Sequence, residues 1–310
     1  MKKRIIYETT SLYRDAFRVT GFEFGSGKKS VCIVGNTRGN EFQQMYVCAR
    51  LVNKLRDMEA QGRINEGHSI LVIPSMNPYS VNSKKRFWPT DNTDINRMFP
   101  GYSLGETTQR IAGGVFEEIK DYDIGIQFTS FYMPGDFLPH VRMMKTGFED
   151  VEMAKEFGMP YVVVRNVRPF DTATLNYNWQ IWETKAFSMY TASTEKIDKD
   201  SAKDAVYSIL RFLAKRGVVT HESRTKVPES IVVVDTDMKS VRTHTAGIFE
   251  PMVKVGAHVS KEQILARVIN PLDGEIEEEL RAPVNGKVFF VHNEPLTYAD
   301  TAVIKIVVKE

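Results

Sequence analysis

Two short stretches of this 310-residue chain hold most of the side chains that could act on a small molecule. RGNE, at residues 38–41, sets an arginine and a glutamate three positions apart. RFWPTDNTDINRMFPG, at 86–101, adds Arg86, Asp94, Asn96 and Arg97. A guanidinium can grip a carboxylate through two parallel hydrogen bonds, which suits Arg97. Arg86 could polarise a carbonyl or bind a second anion, and Asn96 could donate one hydrogen bond. Asp94 reads as a residue that fixes the loop. Arg38, Arg86 and Arg97 set against Glu41 and Asp94 make a net positive cleft, which favours an anionic ligand. The plainer alternatives are surface arginines at 86 and 97, and at Glu41 a charge that complements a helix N-terminus.

Other chemistry has thinner support. None of the six histidines falls in an H-x-x-x-H or H-E-x-x-H spacing. His140, in MPGDFLPHVRMM, is a candidate partner for Ser130 or a ligand beside Glu41, with a purely structural role as the alternative. There is no G-x-S-x-G elbow, and FEFGSGKK at 22–29 lacks P-loop spacing and reads as a turn. Cys32 and Cys48 lie in apolar segments, as buried free thiols of a reducing compartment would, and two are too few for a cysteine metal site. Lys and Arg total 41 against 39 Asp and Glu, which argues against a nucleic-acid partner. The longest apolar runs are too short to span a bilayer, and Glu8, Arg14 and Asp15 interrupt any signal-peptide core. A cytoplasmic address with no membrane partner is expected. The oligomeric state stays open.

The elements that must position these residues alternate in type. SVCIVG at 30–35, SILVIP at 69–74, and segments 123–130, 161–165 and 186–191 read as strands. Segments 41–62, 106–120, 151–157 and 199–216 read as helices from their apolar spacing. The pattern predicts an α/β sheet with helices on both faces across residues 1–222. The loop at 75–101 follows a strand, where an open sheet builds its ligand crevice. A polar linker is expected at 221–229. From 228 to 310 the runs are short, β-rich and punctuated by Gly, Pro, Asn and Asp, which predicts a small all-β domain.

GNTRGNE at 35–41, IPSMNP at 73–78 and the R-x-x-P-x-D…DINRMFPG segment together resemble the succinylglutamate desuccinylase/aspartoacylase family, relatives of the zinc carboxypeptidases. The resemblance implies a carboxypeptidase-like mixed sheet flanked by helices. It also implies a C-terminal β barrel-sandwich of the lipoyl or biotinyl kind, here without the Met-Lys attachment pair; Lys287 follows Asn285-Gly286 in the wrong context. In the family, zinc is held by a His and a Glu three residues apart and by a second His at a later strand end. A zinc-bound water then attacks an amide or ester beside a carboxylate while a glutamate carries protons.

This chain departs from that pattern at almost every metal position. Glu41 remains, but Arg38 stands at the first His, Phe128 at the second, and Tyr190 at the catalytic Glu, with Glu195 in its place if the register slips. A guanidinium has no acceptor nitrogen and a phenyl ring no lone pair, so no zinc or other cofactor is expected. An Arg38–Glu41 ion pair is expected where the metal would lie. By the resemblance Arg86, Asn96 and Arg97 bind substrate, Arg38 and Phe128 join them, and Glu41, Tyr190 and His140 are the proton-handling candidates. Two functions follow: a deacylase-family hydrolase with an altered mechanism, or a non-catalytic relative that binds an anionic small molecule in the old cleft.

Overall fold

The structure is a computed structural model, and it describes residues 1–10, 15–131, 133–221, 227 and 229–308. Its first part runs β1 (Lys2–Thr9), β2 (Phe17–Gly25), β3 (Gly27–Asn36), α1 (Phe42–Ala60), β4 (Gly67–Ser75), α2 (Pro78–Ser83), α3 (Thr107–Ile119) and β5 (Ile124–Phe128). There follow β6 (Gly135–Phe137), β7 (His140–Lys145), α4 (Val151–Lys155), β8 (Tyr161–Asn166), α5 (Leu175–Ile181), β9 (Lys185–Tyr190) and α6 (Lys199–Lys215). The C-terminal part holds β10 (Ile231–Val234), β11 (Met238–Arg242), β12 (Gly247–Pro251), β13 (His258–Val259), β14 (Ile264–Ile269), β15 (Ile276–Arg281), β16 (Gly286–His292), β17 (Leu296–Thr297) and β18 (Ala302–Val307).

Nine strands form one mixed sheet in the order β1-β2-β4-β3-β5-β9-β7-β8-β10. The centre, β4-β3-β5-β9, is parallel, and β7 reverses against β9. One face is sealed by α1 and α6. Val47, Cys48, Leu51, Leu55 and Met58 of α1 recur at helical spacing and pack with Ile209, Phe212 and Leu213 of α6 on Ile33, Ile126 and Val162. The opposite face carries α3 and α5, with Ile111, Val115, Phe116 and Trp179 against Cys32, Val34 and Leu71. This is the α/β architecture expected from the alternation.

The remaining strands make two antiparallel sheets, β11-β18-β16-β13 and β15-β14-β12-β17, around Leu265, Val268, Val288, Val303 and Ile304. The expected boundary at residue 228 is crossed in both directions. Ile231–Val234 pairs in parallel with β8 in the nine-stranded sheet, and β6 pairs with β16 in the C-terminal one. A shared core of Phe137, Tyr161, Tyr190, Phe289 and Phe290 glues the two parts together. Most of the expected linker at 221–229, and Arg14, fall outside the described residues. No helix among the described residues is long and apolar enough to cross a membrane.

Candidate functional site

The site begins where β3 hands over to α1. The chain turns through Thr37, Arg38, Gly39 and Asn40, and a side chain at Gly39 would meet the Ser80 and Lys85 backbone at 2.3 Å. Glycine is therefore required there for the turn to seat against α2. Glu41, the residue before α1, does not cap its own helix. Its carboxylate folds back on the turn: Oε2 accepts from the backbone N–H groups of Thr37 at 3.0 Å and Arg38 at 3.1 Å. Oε1 accepts from Arg38 Nη1 at 3.1 Å and from the Ser130 hydroxyl at 2.7 Å. Glu41 is fully buried, so each oxygen is served by protein donors alone.

Arg38 continues the network. Its Nε donates to Asp94 Oδ2 at 2.9 Å, and Arg86 Nη2 reaches the same oxygen at 3.1 Å. The other Asp94 oxygen accepts the Asn96 N–H at 3.0 Å and so caps the one-turn 3-10 helix Ile95–Arg97. Asp94 thus fixes the loop and its arginines together. Burial pulls the Arg38 guanidinium toward neutrality, but Asp94 and Glu41 outweigh it and hold the group firmly cationic. Burial likewise raises the Asp94 carboxyl, but Arg38 and Arg86 prevail and leave it below the ordinary carboxylate range.

The sign for stability follows from linkage. A carboxyl depressed in the folded state stabilises the protein above its unfolded pKa, and that contribution is lost as pH falls through the folded value. Acid unfolding below about pH 4 should therefore be shallower in Asp94→Asn than in the wild type, in melts taken between neutral pH and acid. Identical slopes would show that this network does not carry the titration.

Asn96 and Arg97 follow on the same turn. Asn96 Oδ1 accepts from Gln127 Nε2 at 3.0 Å and from the Leu175 N–H at 3.3 Å, which orients its amide against the sheet. Arg97 Nη1 donates to the Phe170 carbonyl at 2.6 Å and lies 3.7 Å from Asp171. One edge of that guanidinium is thus committed to the protein's own loop.

The remaining sequence candidates separate. Phe128 is not on the cleft side. It packs with Met189 and Val141 in the core beneath α1 and α6, because alternation along β5 turns Gln127 to the cleft face and Phe128 away from it. The strand end is represented in the cleft by Gln127 and by Ser130. Tyr190 is fully buried at the end of β9, and it is the electrostatic neighbour shared by Arg38, Arg97 and Arg142. His140 stacks on Tyr190 at 4.4 Å, beside Phe137 and Phe289. Its Nδ1 lies 2.7 Å from the Leu138 carbonyl, and the Ser130 hydroxyl goes to Glu41 rather than to this ring. Burial pushes its imidazole down to about 3, so it is neutral at ordinary pH. Glu195 accepts from Asn40 at 2.8 Å at the exposed rim.

The donors do not fit a zinc ion. Arg38 brings positive charge into the place, both Glu41 oxygens are engaged, and Phe128 faces the other way. Among the described residues no three His, Cys, Asp or Glu side chains are grouped to hold a metal. Sequence reasoning missed Gln127 and Arg142. The signal for Arg142 was present: an arginine inside the apolar strand HVRMMK, with Val141 and Met143 both buried on the opposite face.

Residues 27–214 match the model of the succinylglutamate desuccinylase/aspartoacylase catalytic domain. The chain belongs to this deacylase family. It is 26% identical over 282 residues to an N-alpha-acetyl-L-2,4-diaminobutyric acid deacetylase of Halomonas elongata, covering 86% of this chain and 78% of that one. The fold superposes on a succinylglutamate desuccinylase from Silicibacter sp. TM1040 with a TM-score of 0.84 at 20% identity, over 99% of this chain and 93% of the other. A product-bound ectoine utilization protein from Ruegeria pomeroyi matches with a TM-score of 0.80 at 21% identity, over 95% and 90% of the two chains.

Proposed function

We propose that this deacylase-family chain binds a carboxylate-bearing amide or ester in the cleft, and that recognition, rather than zinc-dependent hydrolysis, is what the cleft retains. The observation that supports this best is the Arg38–Glu41–Asp94–Arg86 network. A cation held by two buried carboxylates fills the role a divalent ion would have, and it cannot deliver a bound hydroxide. Arg38 Nη2 has no hydrogen-bond partner among the described residues, and Arg97 has one edge of its guanidinium uncommitted. Both are suited to a ligand oxygen.

One observation favours a second reading, hydrolysis by a route without zinc. Tyr190 is the electrostatic neighbour of Arg38, Arg97 and Arg142, so a hydroxyl group stands close to the cleft arginines. Glu41 is fully engaged, and His140 is neutral and turned to the aromatic core.

The test uses N-acetyl and N-succinyl amino acids, the compound classes named for the relatives. At millimolar concentration they should raise the melting temperature without release of acetate or succinate, with or without added zinc. Arg97→Ala should weaken binding by about ten-fold or more, while a substitution at the exposed, distant Lys261 should leave it unchanged. Absence of any thermal shift would sink the proposal. Turnover lost in Tyr190→Phe would replace it with the second reading.

A further inference from the structure

Lys305 is the one charged residue of β18, in AVIKIV, where the other five side chains are buried. Its cross-strand partners are Ser240 of β11 and Phe290 of β16, and Phe290 in turn pairs with Phe137 of β6. Residues directly opposite on paired strands share a face, so this register turns Lys305 toward the aromatic core of the seam, which holds both phenylalanines. Its ammonium lies 5.0 Å over the Phe131 ring, and among the described residues it has neither a hydrogen bond nor an ion pair. The charges around it are Arg165 of β8, Arg142 of β7 and Arg168, with Asp235 opposing them. Asp235 already accepts the Asn166 N–H at 3.0 Å. Arg165 shares Asp171 with Arg97, at 3.5 and 3.7 Å. Arg142 lies 4.5 Å over the Tyr190 ring and likewise has no ion-pair partner among the described residues.

Like charges gathered under partial burial lose hydration and repel one another, so the group is costly unless an anion joins it. Burial first, and then Arg165, Arg142 and Arg168, push Lys305 down to about 8. A lysine so placed keeps a share of its amine unprotonated at neutral pH, and the unprotonated nitrogen is the nucleophile. Its lone pair can add to the carbon of carbon dioxide. An N–C bond forms, one C=O electron pair moves onto oxygen, and the nitrogen releases a proton to solvent. The product is a carbamate anion, and nothing is oxidised or reduced. One cation is thereby exchanged for a planar group with two oxygens, which a guanidinium can meet through two hydrogen bonds. Exposed lysines such as Lys28 and Lys120 sit beside Asp123 and Glu117 instead, and those carboxylates would repel a carbamate.

We propose that Lys305 is a site of reversible carboxylation by carbon dioxide, its carbamate held by the guanidiniums of Arg142, Arg165 and Arg168. The modified side chain ties β18 of the C-terminal sheet to β7 and β8 of the nine-stranded one, and so makes the stability of the seam responsive to carbon dioxide. Lys305 takes this part whatever the cleft binds.

The full chain, equilibrated with isotopically labelled bicarbonate at mildly alkaline pH, should show a carbamate carbon resonance. Trapping the carbamate as an ester with an alkyl oxonium salt, followed by peptide mapping, should place it on Lys305. Lys305→Arg keeps the positive charge and cannot form the carbamate, so the resonance should vanish there. Arg142→Met should weaken carbon dioxide uptake by roughly ten-fold. Bicarbonate should also raise the wild-type melting temperature relative to chloride at equal ionic strength, because a modification confined to the folded state stabilises it by mass action. Lys305→Arg should show no such rise. An adduct mapped only to the Met1 α-amino group, or no adduct at all, would overturn the proposal, and this mapping on the wild type stands even where a variant fails to fold. A resonance of full intensity in Lys305→Arg would overturn it too. A carbamate on Lys305 with no melting shift would overturn the tie across the seam.

Discussion

Glu41→Ala should destabilise the protein by about 3–5 kcal/mol, the range for removing one partner of a buried ion pair, with a melting temperature lower by on the order of 10 °C. Arg38 Nη1 would lose its acceptor at 3.1 Å, and Ser130, Thr37 and the Arg38 N–H would be left donating into a dry cavity. The cost comes mainly from the stranded groups, because desolvating a charge consumes much of what its pairing returns. Removing both charges, Arg38→Met with Glu41→Leu, should therefore recover part of the loss. Denaturant melts of the wild type, the two single variants and the double variant give the coupling directly. A loss below about 1 kcal/mol for Glu41→Ala, the size of a surface pair, would mean that solvent reaches the carboxylate and that the network does not hold this end of the cleft closed.

Gain of a metal is the second large effect expected. Arg38→His with Ser130→His should take up stoichiometric zinc together with Glu41, measured by elemental analysis after dialysis. Two imidazoles and a carboxylate form a common three-ligand zinc set, and Arg38→His removes the cation that repels the ion. Ser130 is chosen because its hydroxyl, just beyond the end of β5, already reaches Glu41 Oε1 at 2.7 Å. Arg38→His with Phe128→His should bind no zinc and should lose about 3 kcal/mol or more, since it puts an imidazole into the α1–α6 core. Zinc uptake by the Phe128 variant alone would show that the face assignment is wrong.

That contrast marks where sequence reading stopped. The strand SVCIVG, the helix after RGNE and the long loop carrying Arg86 to Arg97 were legible because apolar period and turn residues are local signals. So was the Arg38–Glu41 pair, since opposite charges three residues apart across a tight turn have few other partners. The first hairpin, β1 with β2, went unread because it is half exposed and its strands mix charged and apolar residues. β6 and β7 were hidden by Gly135, Pro134 and Pro139, which read as loop, and their pairing is with β16 and β9, far away in sequence.

By itself the sequence determined the α/β class, the all-β C-terminal segment, the family resemblance and the set of arginines and carboxylates near the cleft. These follow from composition, period and local motif. The tertiary structure decided which side chains meet. Phe128 faces the core because one residue of register exchanges the two faces of a strand. His140 is neutral because β7 carries it against Tyr190 and Phe289. Arg142 and Lys305 become neighbours because strands more than 150 residues apart are brought to one seam by the pairing of β6 with β16. Long-range pairing and burial set those outcomes, and neither is written in the spacing of neighbouring residues.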